Sequence, residues 1–286
     1  MKVTFVYPDI TAVDPYWKGG YYVGVSSLSA QIKARGHTAS LIHILNPYYG
    51  REDFLKDLEK DGHSDLYAFS CTTLGFPWVR RWCQWLHDEG IHVPTICGGS
   101  HPSVDAEHAI QADHLDMICL GEGEGAMCDL VEALEQGKPY HEIPNLWVKH
   151  DGEIHRNALR PLIPDLDVLE HADREIWTNW EELYWEKQGY AAVVASRGCP
   201  FKCTYCVNHT YMELFPDKQY VRFRSPDNTI DELKGILNKY PHIHGFNFDD
   251  DILYMQRPWS IEFTEKYKKE IGLPFYCNMR PNVCKP

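Results

Sequence analysis

The chain has 286 residues, of which 44% are hydrophobic and 24% charged, with a formal net charge of −13. That length holds one large or two medium soluble domains, and the acidic balance excludes the broad basic stripe of a general nucleic-acid surface. No stretch approaches the roughly 18 consecutive apolar residues of a membrane span, and the apolar start stops at Pro8 and Asp9, short of a signal peptide's core, so the expected location is the cytoplasm.

Strand and helix signals alternate through the first half. Residues 2–7 read as a strand. Residues 22–35 read as a helix, with Val23, Leu28, Ala30 and Ile32 apolar and Gly36 as its C-cap. A second strand is expected at 38–42, a charged amphipathic helix at 51–60, a third strand at 66–70 and a helix across 78–87. A fourth strand, 92–97, runs into Gly98-Gly99. A fifth, 117–120, runs into Gly121-Glu122-Gly123-Glu124 and a helix reaching about residue 134. Such alternation means βαβ units. Right-handed crossovers then give an α/β, doubly wound parallel sheet of the flavodoxin or Rossmann type.

Ligands of such sheets bind outside the carboxyl ends of the strands. Small residues gather there: Ser70-Cys71-Thr72-Thr73 after the third strand, Gly98-Gly99-Ser100-His101 after the fourth, Gly121-Glu122 after the fifth. Glycine suits tight strand-to-helix turns anyway, but several such loops on one edge also admit a large or flat ligand to the backbone. No Gly-x-Gly-x-x-Gly follows the first strand, which disfavours a nicotinamide cofactor.

The pattern changes near residue 145. Residues 146–155 read as a β-hairpin around Asp151-Gly152, followed by a proline-bearing linker and an acidic, tryptophan-rich stretch through Gln188. The expected division is 1–140 for the first domain, 141–188 for hairpin and linker, and 189–286 for the second. The second domain offers a strand at 191–195, a helix at 229–240, a strand at 245–248, a helix at 258–271 and a strand from 275 to 279. Three βα units fall well short of an eight-unit barrel of about 250 residues and leave an unpaired edge. The expectation is a piece of a longer chain; completion by a partner chain is the alternative.

Between the first two elements of that domain lies Cys199-Pro200-Phe201-Lys202-Cys203-Thr204-Tyr205-Cys206. Three thiolates are one short of a closed four-coordinate site, and a cubane iron–sulfur cluster so held keeps one iron open. The rival is a structural zinc completed by His209, three residues after Cys206, which would make the chain a binding module. Cys71, Cys83, Cys97, Cys119 and Cys128 read as small buried hydrophobes.

The string Ser196-Arg197-Gly198-Cys199 through Cys206 resembles the signature of radical S-adenosylmethionine (SAM) enzymes. The element around Phe248-Asp249-Asp250-Asp251 resembles the end of the second barrel strand in their cobalamin-dependent branch. Gly24 to Ala30 with Gly36-His37, Gly98-Gly99-Ser100-His101 and Gly121-Glu122 are similar to that branch's cobalamin-binding domain.

The resemblance implies a fold in which a cobalamin-binding sheet precedes an incomplete radical SAM (β/α) barrel. It implies a [4Fe-4S] cluster on Cys199, Cys203 and Cys206, with SAM flanked by Tyr205, Asp250 and Asp251. Cobalamin would lie against Ser70, Thr72, Gly98, Gly99, His101, Gly121 and Glu122. His101 reads as a cavity wall in preference to a cobalt ligand, and the Asp-x-His-x-x-Gly motif of methionine-synthase-type domains is absent. The implied activity is methyl transfer to an unactivated carbon or phosphorus centre of a small molecule, with electrons from a donor such as flavodoxin or ferredoxin. Cobalamin-linked cyclisation or rearrangement is the second reading. A methylthiotransferase is a third, which the placement of the other cysteines in apolar strands argues against.

Overall fold

The structure, a computed structural model, describes residues 1–10, 18–215 and 220–283. It forms two compact units: residues 1–161 with 172–178, and residues 162–171 with 179–286. The stretch read as hairpin and linker is thus divided between them.

The first unit is built on β1 (Lys2–Pro8), β2 (Thr38–Ile44), β3 (Leu66–Ser70), β4 (Thr95–Gly98) and β5 (Met117–Cys119). They lie parallel in the order β2-β1-β3-β4-β5, the flavodoxin-like order that places a switch point between β1 and β3. The helices are α1 (Val23–Ala34), α2 (Arg51–Asp61), α3 (Phe76–Asp88), α4 (Ser100–Val104), α5 (Ala106–Ile110) and α6 (Glu124–Glu135). Covered on both faces, β1 and β3 are apolar almost throughout, as parallel strands require. The one polar side chain buried within β1, Thr4, gives its hydroxyl to Asp61 at 2.7 Å.

The apolar stripe of α3, Phe76, Val79, Trp82, Cys83 and Leu86, recurs at helical spacing and is wholly buried. Trp82 stacks on Phe54 of α2 and Phe69 of β3. Pro77 occupies the first turn of α3, where its missing N–H costs nothing; the helix therefore starts earlier than apolar spacing alone suggests. Conversely β4 starts only at Thr95, after Pro94. The hairpin forms as β6 (Leu146–His150) and β7 (Glu153–Arg156) around Asp151 and Gly152, both at positive φ. It does not stand apart: β6 pairs antiparallel with β5 and extends the first sheet to seven strands.

Residues 172–178 return to this unit after an excursion. Asp173 accepts the Ser29 hydroxyl at 2.5 Å and pairs with Lys33 at 2.6 Å. The Trp177 indole donates to Ser26 at 2.7 Å and lies edge-on to Tyr7 and His43. Small hydroxyl residues on α1 make room for that ring and satisfy it.

The second unit carries β8 (Tyr190–Val193), β11 (Gly245–Phe248) and β12 (Phe275–Cys277), parallel in the order β12-β11-β8. A two-residue ribbon joins β9 (Ser196–Arg197) to β10 (Arg222–Phe223). Its helices are α7 (Asn208–Leu214), α8 (Pro226–Lys239) and α9 (Arg257–Glu270). Ser225 caps α8 by accepting the Asn228 N–H at 3.1 Å, with Pro226 next. On α9, Phe263 packs on Phe248 and Tyr267 on Phe275, while Trp259 stacks on Phe263. Among the described residues no helix is long and apolar enough to cross a membrane.

Trp177→Ala should destabilise the first unit by about 3–5 kcal/mol, the range for losing a buried aromatic ring. Urea unfolding followed by far-ultraviolet circular dichroism checks this. A loss below about 1 kcal/mol would show that the returning segment is not part of the packed unit.

Candidate functional site

The cysteine loop leaves β8 at its carboxyl end. Gly198 turns the chain at φ +87°, and a Cβ there would press into the Tyr220 carbonyl oxygen. Glycine is therefore required immediately before Cys199. Cys199 is buried, while Cys203 and Cys206 are half-buried. The Cys206 N–H donates to the Cys203 carbonyl at 3.0 Å, closing the loop's last turn.

Two sulfurs have nitrogen donors beside them. Asn208 Nδ2 lies 3.4 Å from Cys206 Sγ and Arg280 Nη1 lies 3.7 Å from Cys203 Sγ. The Arg280 guanidinium also covers the Phe201 ring at 3.8 Å. Burial pushes the Cys199 thiol up, and the Asp251 carboxylate and the Cys206 and Cys203 thiols add to the rise, against the Phe201 N–H. Such a group ionises reluctantly alone; cationic iron reverses that balance. The three thiols on one loop, two with N–H donors, fit an iron–sulfur cluster that leaves one iron open.

The three aspartates after β11 divide. Asp249 accepts Asn247 Nδ2 at 2.5 Å. Asp250 is 1% exposed; both its carboxylate oxygens accept the Ala195 N–H at 3.1 Å, and one also takes the Ser196 hydroxyl. Desolvation pushes Asp250 up to about 6, against those hydrogen bonds. It lies beneath the loop and holds its first residues. Asp251 is exposed and accepts Asn208 Nδ2 at 3.0 Å. Tyr205, at the loop's apex, is 91% exposed. The structure thus gathers Cys199, Cys203, Cys206 and Asp251, places Asp250 behind them, and turns Tyr205 outward.

The other candidates share the carboxyl edge of the first sheet. The Gly98 carbonyl accepts the Cys71 N–H at 3.1 Å, and the Cys71 carbonyl accepts the His101 N–H at 3.3 Å. The Ser103 hydroxyl donates to Gly99 O and accepts from Gly121 N, both at 2.9 Å. Gly99 sits at φ +97°, where a Cβ would stand 2.5 Å from the Cys71 carbonyl oxygen. Ser70 is buried, Thr72 exposed, and Gly98, Gly99, Gly121 and Glu122 half-exposed. His101 is buried. Its Nδ1 lies 3.3 Å from Thr73 Oγ1 and its Nε2 3.2 Å from His108 Nδ1, so the imidazole is engaged on both sides. This edge is mostly backbone and small side chains, as a broad flat ligand requires.

Asn208, Arg280, Ser196 and Leu74 were not among the residues anticipated from sequence. Leu74 adds apolar surface to the first sheet's edge, 81% exposed. Asn208 follows Cys206 by two positions and was open to notice; Arg280 is 77 residues from Cys203, and no local signal marks it. Cys71, Cys83, Cys97, Cys119 and Cys128 are all buried, as anticipated.

Comparison with known proteins follows the same division. The B12 binding domain family matches residues 20–131. The anaerobic magnesium-protoporphyrin IX monomethyl ester cyclase of Rubrivivax gelatinosus is 26% identical over 98% of this chain and 50% of its own length. An uncharacterized methyltransferase of Pyrococcus horikoshii is 27% identical over 94% of this chain and 58% of its own. The chain therefore spans about half the length of these curated relatives. The solved structure of OxsB, a cobalamin-dependent S-adenosylmethionine radical enzyme with aqua-cobalamin and SAM bound, superposes with a TM-score of 0.73. It does so over 96% of this chain and 38% of OxsB, at 18% identity. The resemblance to cobalamin-binding radical SAM proteins, and the fold it implied, are borne out.

Asp250 provides a test of the loop's foundation. Its folded-state pKa, about 6, lies above the ordinary 3.8, so the native state holds that proton more tightly than the unfolded chain. Its contribution to stability is complete below about pH 4 and falls by up to about 3 kcal/mol as pH rises to about 6. In Asp250→Asn that slope is absent. Parent-minus-variant unfolding free energy should fall between about pH 4 and pH 6 and be flat above; parallel curves would reject the buried, titrating carboxylate.

Proposed function

We propose that this chain carries the cofactor-binding half of a radical SAM reaction: a [4Fe-4S] cluster on Cys199, Cys203 and Cys206, and cobalamin on the carboxyl edge of the first sheet. The observation that carries the reading is the single loop of three thiols at the end of β8, with Asn208 and Arg280 aimed at two of the sulfurs. When bound, the cluster supplies the electron that cleaves the sulfonium carbon–sulfur bond of SAM, and cobalamin supplies a methyl carrier. The chain's own residues bind and orient. Gly198 permits the turn, Asp250 fixes Ala195 and Ser196, and Asn208 and Arg280 point N–H donors at Cys206 and Cys203. Tyr205 and Asp251 are the residues we assign to SAM. Ser70, Thr72, Gly98, Gly99, Gly121 and Glu122, with Leu74 beside them, are those we assign to cobalamin. We assign His101 to the wall in preference to a cobalt ligand, its Nε2 being turned to His108 and its Nδ1 to Thr73.

The reaction we assign is methylation of an unactivated carbon or phosphorus centre of a small molecule, in the cytoplasm, with reducing electrons from a donor such as flavodoxin or ferredoxin. The match to the Rubrivivax cyclase, over 98% of this chain and 50% of that protein, favours a second reading, cobalamin-linked ring formation.

After anaerobic reconstitution the chain should hold about four iron and four sulfide and, with cobalamin added, show corrin absorbance that survives gel filtration. Serine at Cys199, Cys203 or Cys206 should abolish reductive cleavage of SAM to 5′-deoxyadenosine, read by chromatography. Zinc on the cysteines with no sulfide would overturn the enzyme reading. About eight iron with no corrin would point to the methylthiotransferase alternative.

A further inference from the structure

We propose that His101, Asp105 and His108 form a binding site for a divalent transition-metal ion of the zinc class, separate from the cysteine loop. Among the described residues these three bring one donor atom each to within 4.8 Å of one another. His101 Nε2 and His108 Nδ1 are 3.2 Å apart, and Asp105 Oδ2 is 3.8 Å from His108 Nδ1. Four ligands around zinc at 2.0–2.1 Å stand about 3.3–3.4 Å from each other. The observed separations bracket that value before any ion is placed.

The ring geometry agrees. The two imidazoles lie 5.3 Å apart between centroids at 82°, so they meet edge-on through nitrogen instead of stacking. His101 is 2% exposed, resting on Phe76 at 4.2 Å, and its other nitrogen is fixed by Thr73 Oγ1 at 3.3 Å. A ligating histidine ordinarily has its second nitrogen held in this way. Asp105 and His108 are half-open to solvent, so water can complete the coordination. The adjacent Glu107 does not compete, being forked onto Arg156 at 2.9 and 2.8 Å.

The sequence spacing, 101, 105 and 108, would place all three on one face of an unbroken helix. The chain instead breaks at Asp105, between α4 and α5, and the donors converge across the break. An ion there would tie α4 to α5 and lock His101, which through Thr73 braces the β3–α3 loop against the β4–α4 loop. The role is structural support for the sheet edge.

The experiment uses the full chain with Cys199, Cys203 and Cys206 all replaced by serine, so that the loop cannot compete. Zinc is titrated by calorimetry, with cobalt(II) absorption reporting geometry. Expected are one zinc per chain, a tetrahedral cobalt spectrum without sulfur charge-transfer bands, and binding at least tenfold weaker in His108→Ala and Asp105→Asn. His150→Ala, in the separate group of His141, His150 and His155, should bind as the parent does. Absent zinc binding, or parent affinity in His108→Ala, overturns the site. In the iron–sulfur-loaded native chain, His108→Ala should lower zinc content and leave iron and sulfide unchanged; unchanged zinc there also overturns it.

Discussion

The second unit depends on one buried carboxylate. Asp250, two residues past the end of β11, accepts the Ala195 N–H and the Ser196 hydroxyl, which lie just past β8. Removing such donors leaves an uncompensated buried charge, which is costly. The end of one strand is therefore bound to the start of the cysteine loop more firmly than sheet pairing alone would hold it. Its neighbours take other tasks. Asp249 turns to Asn247, and Asp251 turns outward to Asn208, which also reaches Cys206. Three identical side chains in a row thus serve an anchor, a local turn and the site itself. Alternation of direction past a strand's end separates them.

The first unit meets its task without a fixed charge. Its ligand edge is laced by backbone: Cys71 to Gly98, His101 to Cys71, and Ser103 bridging Gly99 and Gly121. A thiolate-bound cluster needs a few soft anionic donors at set positions. A macrocycle needs area, shallow relief and many weak contacts. Glycine at 98, 99 and 121 supplies relief, and the close approach of Gly99 to Cys71 brings two loops into one surface. The two sites we propose are thus built by opposite means, side chains in one and backbone in the other.

Local chemistry was readable from sequence, and tertiary pairing was not. The strand order of the first sheet follows from βα alternation, and the hairpin from Asp151-Gly152. That β6 would join β5 is a long-range pairing with no local mark. The short helices α4 and α5 escaped because Pro102 and the break at Asp105 erase a helical period. The return of residues 172–178 rests on Ser26 and Ser29, which look like ordinary helix residues until Trp177 and Asp173 arrive. Within the site, the cysteines were legible because their spacing is itself the chemistry. Arg280 was not, since its role exists only once β12 has been laid beside β11.

The cysteines show why position matters more than number. Burial pushes the Cys119 thiol up to about 12 and the Cys128 thiol up to about 11, and it raises Cys83 and Cys97 as well. Cys71 lies against Cys97, with the sulfurs 3.6 Å apart. Burial opposes ionisation of Cys83, Cys97, Cys119 and Cys128, and protonated sulfur is a poor metal ligand. Burial raises Cys199 of the loop as well; what sets the loop apart is the N–H donors aimed at two of its sulfurs and the half-open positions of Cys203 and Cys206. A second cluster on the first sheet would have to ionise thiols inside an apolar core and open the packing around Cys97, which is 0% exposed. The loop needs no such rearrangement. The packing thus agrees with the single cluster we propose on the cysteine loop.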